Sequence, residues 1–395
     1  MTTFLIRRLV QMFVVIILSS MVTYVLLNIA PGGPIDTLLA ERQNAGANKI
    51  TNADIVRIKE RFELDLYLPV RFTRWLIGWP SGPFLGLNDT VVGCSIPGRV
   101  RLIYPDGRIE LAEQGCDKEV TLANLTGRKV SRGILLGDFG LSQQILRDRP
   151  VWTLIESRLP YTLWLMGVST FLAILIGVPI GIYSAVRQYS RFDYVMTTVA
   201  FVGASLPTFF FGILMILFFS ILAKEAGLPY LPPGNAVGLR DYVVPLIGSV
   251  KAESPLDYVL HFIMPCFVLT FVNIAGWSRF VRASMLEVLR ADYVRTARAK
   301  GVREQVVILK HALRNSLIPF ITLLAGVLAN LFGGAVITES IFNWPGLGRL
   351  LIDALGRSDY NVAMAITFVS IVLLLIGYLI SDILYTVVDP RIRLS

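Results

Sequence analysis

Six stretches free of charged side chains alternate with polar segments along the 395-residue chain. Each stretch is long enough to cross the apolar core of a bilayer as a helix, which takes about 20 residues. The pattern therefore predicts an all-α integral membrane protein with six transmembrane helices, over Leu9–Pro34, Tyr161–Val186, Tyr194–Ala223, Tyr258–Ser278, Leu317–Ile337 and Val362–Ile380.

The first apolar run follows Arg7 and Arg8, an order of charge and hydrophobicity that secretory signal peptides share. The run is longer than the apolar region of a signal peptide and has no Ala-x-Ala cleavage site. We therefore interpret residues 1–34 as a retained N-terminal transmembrane helix. Later runs contain Pro179 and Pro207, which can break the hydrogen-bond ladder and kink the helix.

The composition agrees with a protein surrounded by lipid, since 54% of the residues are hydrophobic and 16% are charged. A net charge of +9 would suggest nucleic-acid binding in a soluble protein. Here the basic residues collect at the predicted cytoplasmic ends of the helices, with 14 Lys and Arg there against 5 in the two short external loops. This asymmetry predicts a multi-pass protein with both termini in the cytoplasm, and it makes a nucleic-acid partner unnecessary.

The sequence does not contain the motifs that several kinds of enzyme and metal site require. None of the eight lysines precedes Ser or Thr, so there is no phosphate-binding loop for ATP hydrolysis. Two histidines and three cysteines without a C-x-x-C pair give no common metal or redox motif, and there is no G-x-S-x-G motif. We predict that the chain is not an enzyme, carries no cofactor or metal, and obtains energy through a partner.

The longest basic segment between two apolar runs is Asp292–Pro319. Its pattern predicts a helix, a glycine break and a second helix. Tyr293, Ala297 and Gly301 share one face at a spacing of four residues, and the two small residues would admit a partner's backbone. Gly301 is a helix stop. Beyond it, the apolar face of the second helix is predicted from Val306, Leu309 and Leu313.

The sequence Arg-Thr-Ala-Arg-Ala-Lys-Gly within this segment resembles the cytoplasmic "EAA" loop of permease subunits of binding-protein-dependent ABC importers, in its oligopeptide and dipeptide branch. Of the general E-A-A-x-x-x-G pattern, only Ala297 and Gly301 match. The resemblance implies that residues 282–314, hereafter the coupling loop, hold the helix that docks on an ATPase subunit. The implied coupling residues are Tyr293, Arg295, Thr296, Ala297 and Gly301.

A second resemblance lies after the fifth apolar run, where Glu-Ser-Ile-Phe-Asn-Trp-Pro-Gly-Leu-Gly-Arg begins at Glu339. In the same branch this motif lies outside the membrane, which implies a short helix at the mouth of the pore. A polar Asn330 within the fifth run either bonds a neighbouring helix or faces a wet pathway. The residues predicted at the pore or its external mouth are Asn330, Gly333, Gly334, Glu339, Trp344, Pro345 and Gly346.

Residues 35–159 form a polar region that we place outside the membrane. Its two ends resemble the first external segment of the family, whereas residues 81–132 read as an insertion with a β-hairpin around Pro105-Asp106-Gly107. Cys94 and Cys116 flank that hairpin. An oxidising compartment favours a disulfide between them, and two unpaired buried cysteines are the alternative.

The resemblance implies a MetI-like permease core of five helices over residues 160–395, forming half of a pore in the inner membrane. Implied partners are a second permease subunit, two ATPase subunits and an extracytoplasmic solute-binding protein. Peptides are the expected substrate, with nickel chelates, glutathione or oligosaccharides as alternatives. A secondary transporter or channel is a more distant alternative, but the apolar runs show no chain of ionisable residues and no internal repeat. A membrane receptor or scaffold whose large outer region binds the ligand is the other alternative.

Overall fold

The structure of the protein is a computed structural model, which describes residues 2–29, 56–57, 59–60, 62–84, 86–103, 109–128, 131–317, 319–320 and 335–388. The chain forms two compact units. The first unit contains residues 1–14, 155–352 and 369–395, and the second contains residues 15–154 and 353–368.

The described part of the chain is mostly helical, which confirms the predicted fold class. Its helices are α1 (Thr2–Ile29), α2 (Leu68–Ile77), α3 (Val151–Val186), α4 (Arg191–Ser205), α5 (Thr208–Ile216, continued by a π-helical stretch at Leu217–Leu222 and a helical turn at Ala223–Glu225), α6 (Pro255–Leu289), α7 (Asp292–Ala299), α8 (Glu304–Val306), α9 (Val336–Ile341), α10 (Leu347–Gly356) and α11 (Tyr360–Val388). Its strands are β1 (Val91–Ile103), β2 (Ile109–Thr121), β3 (Tyr242–Val244) and β4 (Gly248–Val250).

Five described helical segments are long and apolar enough to cross a membrane: Phe4–Ile29, Val151–Val186, Thr208–Glu225, Pro255–Leu289 and Tyr360–Ile383. They correspond to five of the six predicted runs. The predicted span Leu317–Ile337 lies mostly outside the described residues, so the count of six stays a prediction.

The third predicted run, Tyr194–Ala223, forms two helices that are separated at Pro207, the proline that was predicted to break or kink it. Helix α4 ends at Ser205, Leu206 adopts an extended conformation, and a new helix starts after Pro207. Proline has no backbone N–H and restricts the residue before it to extended conformations, which ends the first helix there. Only the part from Thr208 to Glu225 is long and apolar enough to be a span.

Helix α6 is the central helix of the first unit, because α3, α4 and α5 all contact it. A Cβ atom added at Gly181 of α3 would lie 2.6 Å from the Ser278 oxygen and 2.8 Å from Val281, both on α6. Only glycine allows this approach. The glycines of Gly177-Val-Pro-Ile-Gly181 therefore serve helix packing.

The second unit contains the predicted β-hairpin, in which β1 pairs antiparallel with β2. Val92 and Val120 at the base of the hairpin pack with Leu66, Leu122 and Leu125 in a small apolar core. The Sγ atoms of Cys94 and Cys116 are bonded across the two strands, with their Cα atoms 5.9 Å apart. The turn residues 104–108 lie outside the described part of the chain.

Candidate functional site

The helix of the coupling loop is α7, and its end is fixed by a glycine. The N–H of Gly301 donates to the Arg298 oxygen (3.0 Å), and the N–H of Val302 donates to the Ala297 oxygen (3.3 Å). Gly301 has φ +75°, which completes the two-bond helix stop that glycine favours. The chain therefore reverses after Lys300, as predicted for this glycine.

An ion pair bridges the two sides of this reversal. The guanidinium of Arg298 donates two hydrogen bonds to the Glu304 carboxylate, at 2.7 and 3.2 Å. The hydrogen bond from Arg298 lowers the pKa of Glu304, and the same bond raises the pKa of Arg298. Both side chains are largely in contact with solvent, so the pair supports the geometry of the loop with a small free energy.

The pattern of exposed and buried side chains on α7 differs from the prediction. Tyr293, Arg295 and Thr296 are exposed, whereas Ala297 is buried with Val294. Ala297 therefore packs within its own chain, and the predicted shared face of Tyr293 with Ala297 is wrong. Residues four positions apart lie near one another on an ideal helix. The buried side of α7 is nevertheless centred between Val294 and Ala297, which leaves Tyr293 at its exposed edge.

A π-turn over Val307–Ala312 divides the predicted apolar face of the second helix: Leu313 packs against a core cluster, whereas Val306 and Leu309 do not. In this turn a residue and the one five positions later share a side, so Val307 and Ala312 both point inward and are fully buried. Val306 and Leu309 are left exposed instead. With Tyr293 they give the coupling loop an apolar surface that its own chain does not cover.

Two attachments hold the part of the coupling loop that follows α6: its packing against the last turns of α6, and the anchoring of those turns to α4. Val307 and Val294 share a cluster with Val288 of α6, and the Ser284 hydroxyl donates to the Ser316 oxygen at 2.8 Å. These contacts join both arms of the loop to the last turns of α6.

The second attachment is the ion pair of Asp193 with Arg282 of α6, with oxygen–nitrogen distances of 2.6 and 2.8 Å. The hydrogen bond from Arg282 lowers the pKa of Asp193. Asp193 was absent from the predicted site. Its signal in the sequence was Ser190-x-x-Asp193, a helix-capping pattern, and Ser190 does accept a hydrogen bond from the Asp193 N–H.

The second predicted site is built around the carboxylate of Glu339 on α9, which is fully buried. It accepts hydrogen bonds from the Thr162 hydroxyl (2.8 Å) and from the backbone N–H of Arg349 (3.1 Å). Burial raises the pKa of Glu339, and these hydrogen bonds oppose that rise. A Cβ atom at Gly346 would lie within 2.5 Å of the carboxylate, so the Trp-Pro-Gly-Leu-Gly sequence is the glycine-lined turn that encloses Glu339.

Trp344 lies in the same turn and is also fully buried. Its indole N–H donates to the Tyr161 oxygen at 3.2 Å, and its ring contacts those of Tyr258 and Phe262. Glu339, Trp344 and Gly346 thus hold together residues 339–349, hereafter the predicted mouth loop. All three are buried, so they do not form its exposed surface. Pro345 is partly exposed.

Asn330, Gly333 and Gly334 lie outside the described residues, so their predicted place in the pore stays a prediction. Within the described ranges, no group of three or more His, Cys, Asp or Glu side chains is arranged to hold a metal ion.

Two protein-family models match the chain. One, described as binding-protein-dependent transport system inner membrane component, matches residues 177–394, and the model for the N-terminal part of such components matches residues 1–98. The first match contains the whole coupling loop and the predicted mouth loop.

Three curated proteins illustrate the similarity. An oligopeptide transport system permease protein of Bacillus subtilis is 44% identical over 65% of this chain and 76% of its own length. A putative peptide permease protein of Brucella suis is 34% identical over 94% of this chain and 93% of its own. A glutathione transport system permease protein of Pectobacterium atrosepticum is 40% identical over 66% of this chain and 76% of its own.

Proposed function

This chain belongs to the family of binding-protein-dependent transport system inner membrane components, and from that premise we propose that it is the permease subunit of an ATP-driven importer of peptides. It is a multi-pass protein of the inner membrane. It forms half of the translocation pore and pairs there with a second permease subunit. A solute-binding protein delivers the peptide from outside, and two ATPase subunits supply the energy.

The observation that carries the proposal is the exposed face of α7 and its firm attachment to α6. Tyr293, Arg295 and Thr296 face solvent on a helix that a glycine stop ends. The chain itself has no phosphate-binding loop. Such an exposed helix, on a chain without a phosphate-binding loop, is suited to bind a separate ATPase subunit and to move with it.

The attachments of α7 indicate how a movement of the ATPase subunits is transmitted to α6. Val294 is fully buried and packs with Val288 at the end of α6, and Arg282 of α6 is held by Asp193 of α4. When the ATPase subunits close, α7 moves with the inner end of α6 and does not slide over it. That movement switches the pore between inward and outward access, and we place both termini of the chain on the ATPase side.

Glutathione is the second candidate substrate, because one relative of 40% identity is named a glutathione transporter. Glutathione is itself a tripeptide, so a pore for short peptides admits it by size. Both the oligopeptide relative and the broadly covering Brucella relative are named for peptides, which favours peptides as the substrate class. Nothing in this chain favours nickel chelates or oligosaccharides.

Co-purification tests the proposal. A tagged copy of the chain, extracted from its native membrane in mild detergent, should bring down two ATPase subunits and a second permease subunit. The reconstituted complex should take up labelled peptides only with ATP and the binding protein present. Purification of the chain alone, with solute movement that needs no nucleotide, would refute the proposal and support a secondary transporter or channel.

A further inference from the structure

Arg279 is the first charged residue after the charge-free run 258–278 of α6, and its side chain bends back toward that run. Its Nε–H donates to the Ala275 oxygen of the preceding turn at 3.0 Å. The last turns of α6 lie on the ATPase side in the proposed function. An arginine that serves lipid headgroups extends its charge toward the nearer membrane surface, and Arg279 bends away from that surface.

The charge of Arg279 is held in place without being neutralised. Its guanidinium carbon lies 5.1 Å from the centre of the Phe201 ring of α4, a cation–π contact on a ring that is 56% exposed. No Asp or Glu in the described part of the chain forms an ion pair with it. Its neighbour Arg282, in contrast, is paired with Asp193.

The break between α4 and α5 lies next to the same turn of α6. A Cβ atom added at Gly203 would lie 3.1 Å from the Ala275 side chain. Pro207 has no N–H to donate to the Gly203 oxygen, as the fourth residue onward does in a continuous helix. Ser205 at the end of α4 is exposed. Since exposed irregular backbone within a membrane protein's apolar region is tolerated where it lines a water-filled cavity, the break indicates water beside this guanidinium.

A guanidinium in such a place binds an oxyanion, to which it can donate two parallel hydrogen bonds. The carboxylate of a peptide and the phosphate of a lipid both have this chemistry. The direction of the Arg279 side chain, away from the headgroups, favours the peptide. A linear peptide of any sequence ends in a carboxylate unless it is modified there.

We infer that Arg279 binds the C-terminal carboxylate of the peptide during its passage through the importer, with Phe201 holding the guanidinium in position. The inference rests on the proposed function and adds to it a residue of the pathway that recognises a feature common to peptides of different sequence.

A pair of peptides tests the inference, one with a free C-terminal carboxylate and one of the same sequence with a C-terminal amide. The complete importer in proteoliposomes is given ATP and its binding protein, with each peptide at a concentration that saturates the binding protein. Wild type should take up the free acid about tenfold faster than the amide, as expected for one charge-assisted hydrogen-bonded contact. Arg279→Gln should take up the acid about tenfold more slowly than wild type and the amide at the wild-type rate.

Two variants control for charge. Arg279→Lys keeps the positive charge and should retain most of the preference for the acid. Arg191→Gln removes an exposed positive charge at the start of α4 and should transport both peptides as wild type does. A wild-type preference in Arg279→Gln overturns the inference. An equal loss for both peptides also overturns it, because a residue that only supports packing would give that result.

Phe201→Leu keeps the test decisive if Arg279→Gln does not assemble with the ATPase subunits. It leaves the charge and removes the ring, so the preference for the acid should fall about threefold. An unchanged preference would contradict the inference.

Vesicle composition separates the two sources of the oxyanion. In the inferred role, the defect of Arg279→Gln is the same in vesicles of phosphatidylcholine alone and in vesicles that contain phosphatidylglycerol. A defect that requires the anionic lipid would assign Arg279 to lipid phosphate and overturn the inference.

Failure of the inference differs from failure of the proposed function. If wild type takes up peptide only with ATP and binding protein, while Arg279→Gln keeps the preference for the acid, the role of Arg279 alone is refuted. If wild type takes up neither peptide, or takes them up without ATP, the proposed function is refuted as well.

Discussion

Single side chains fix the ends of the coupling loop, and the ion pair of Asp193 with Arg282 is the clearest case. Asp193 is nearly fully buried, and Arg282 donates two short hydrogen bonds to it. Removing one partner of such a pair leaves the other charge poorly solvated. The loss should therefore exceed that for an exposed pair.

We predict that Asp193→Asn lowers the free energy of unfolding of the purified complex by about 2 kcal/mol at neutral pH. Because the folded pKa of Asp193 is lowered, its contribution is complete above the unfolded value near 4 and is lost as the pH falls below it. Thermal unfolding at several pH values measures this. The difference between wild type and variant should shrink toward acid pH.

Glu304→Gln is the control for that comparison. The Arg298–Glu304 pair has a similar bidentate geometry but is exposed, so the same measurement should give a loss below about 1 kcal/mol. Equal losses in the two variants would contradict the role assigned to burial at Asp193.

At the scale of elements, the coupling loop depends on a helix that stops at a fixed residue. A Cβ atom at Gly301 meets no neighbour within 4 Å, so a larger side chain fits there and the constraint is the positive φ alone. Valine disfavours that conformation by about 1–2 kcal/mol, whereas asparagine tolerates it.

Gly301→Val should therefore weaken the binding of the ATPase subunits about tenfold, and Gly301→Asn should behave nearly as wild type. The measurement is ATPase binding to the solubilised permease pair, followed by peptide uptake. Equal effects of the two substitutions would show that side-chain size, and not the backbone conformation, matters at this position.

The elements also show what the sequence could predict. Charge-free runs located five helical spans, and the end of α3 at Val186 coincides with the predicted one. Helix α6 continues to Leu289, beyond the predicted end at Ser278, and its last turns pack in one cluster with Ile308 and Leu313. Local apolar periodicity carries no information on those later contacts.

Two features of the sites depend on contacts that local sequence patterns do not specify. The π-turn after Val307 changes which residues of the second helix face inward, and the order of apolar residues gives no sign of it. The Glu339 carboxylate is satisfied by Thr162, which lies 177 positions away in the chain. The motif around Glu339 was recognisable, but its role in building the loop required the fold.

At the scale of the whole molecule, α6 connects the β3–β4 hairpin with the coupling loop. The Asp257 carboxylate in the first turn of α6 accepts a hydrogen bond from Tyr242 of β3, and α7 begins three residues after the last residue of α6. A helix of 35 residues is about 50 Å long, enough to cross the bilayer. One continuous helix thus joins the β3–β4 hairpin to the helix that we propose docks on the ATPase.

The central claim is that α7 lies against an ATPase subunit, and site-directed cross-linking tests it most directly. Tyr293→Cys places a thiol on the exposed face of α7, and Ala297→Cys places one on the buried face. The chain's own thiols interfere little, since Cys94 and Cys116 are bonded and Cys266 is buried.

With a thiol-reactive photo-cross-linker in inside-out membrane vesicles, Tyr293→Cys should form a covalent product with an ATPase subunit, and Ala297→Cys should give little or none. Reaction of Tyr293→Cys with an impermeant thiol reagent added outside intact cells, or illumination that yields no product with an ATPase subunit, would contradict the account.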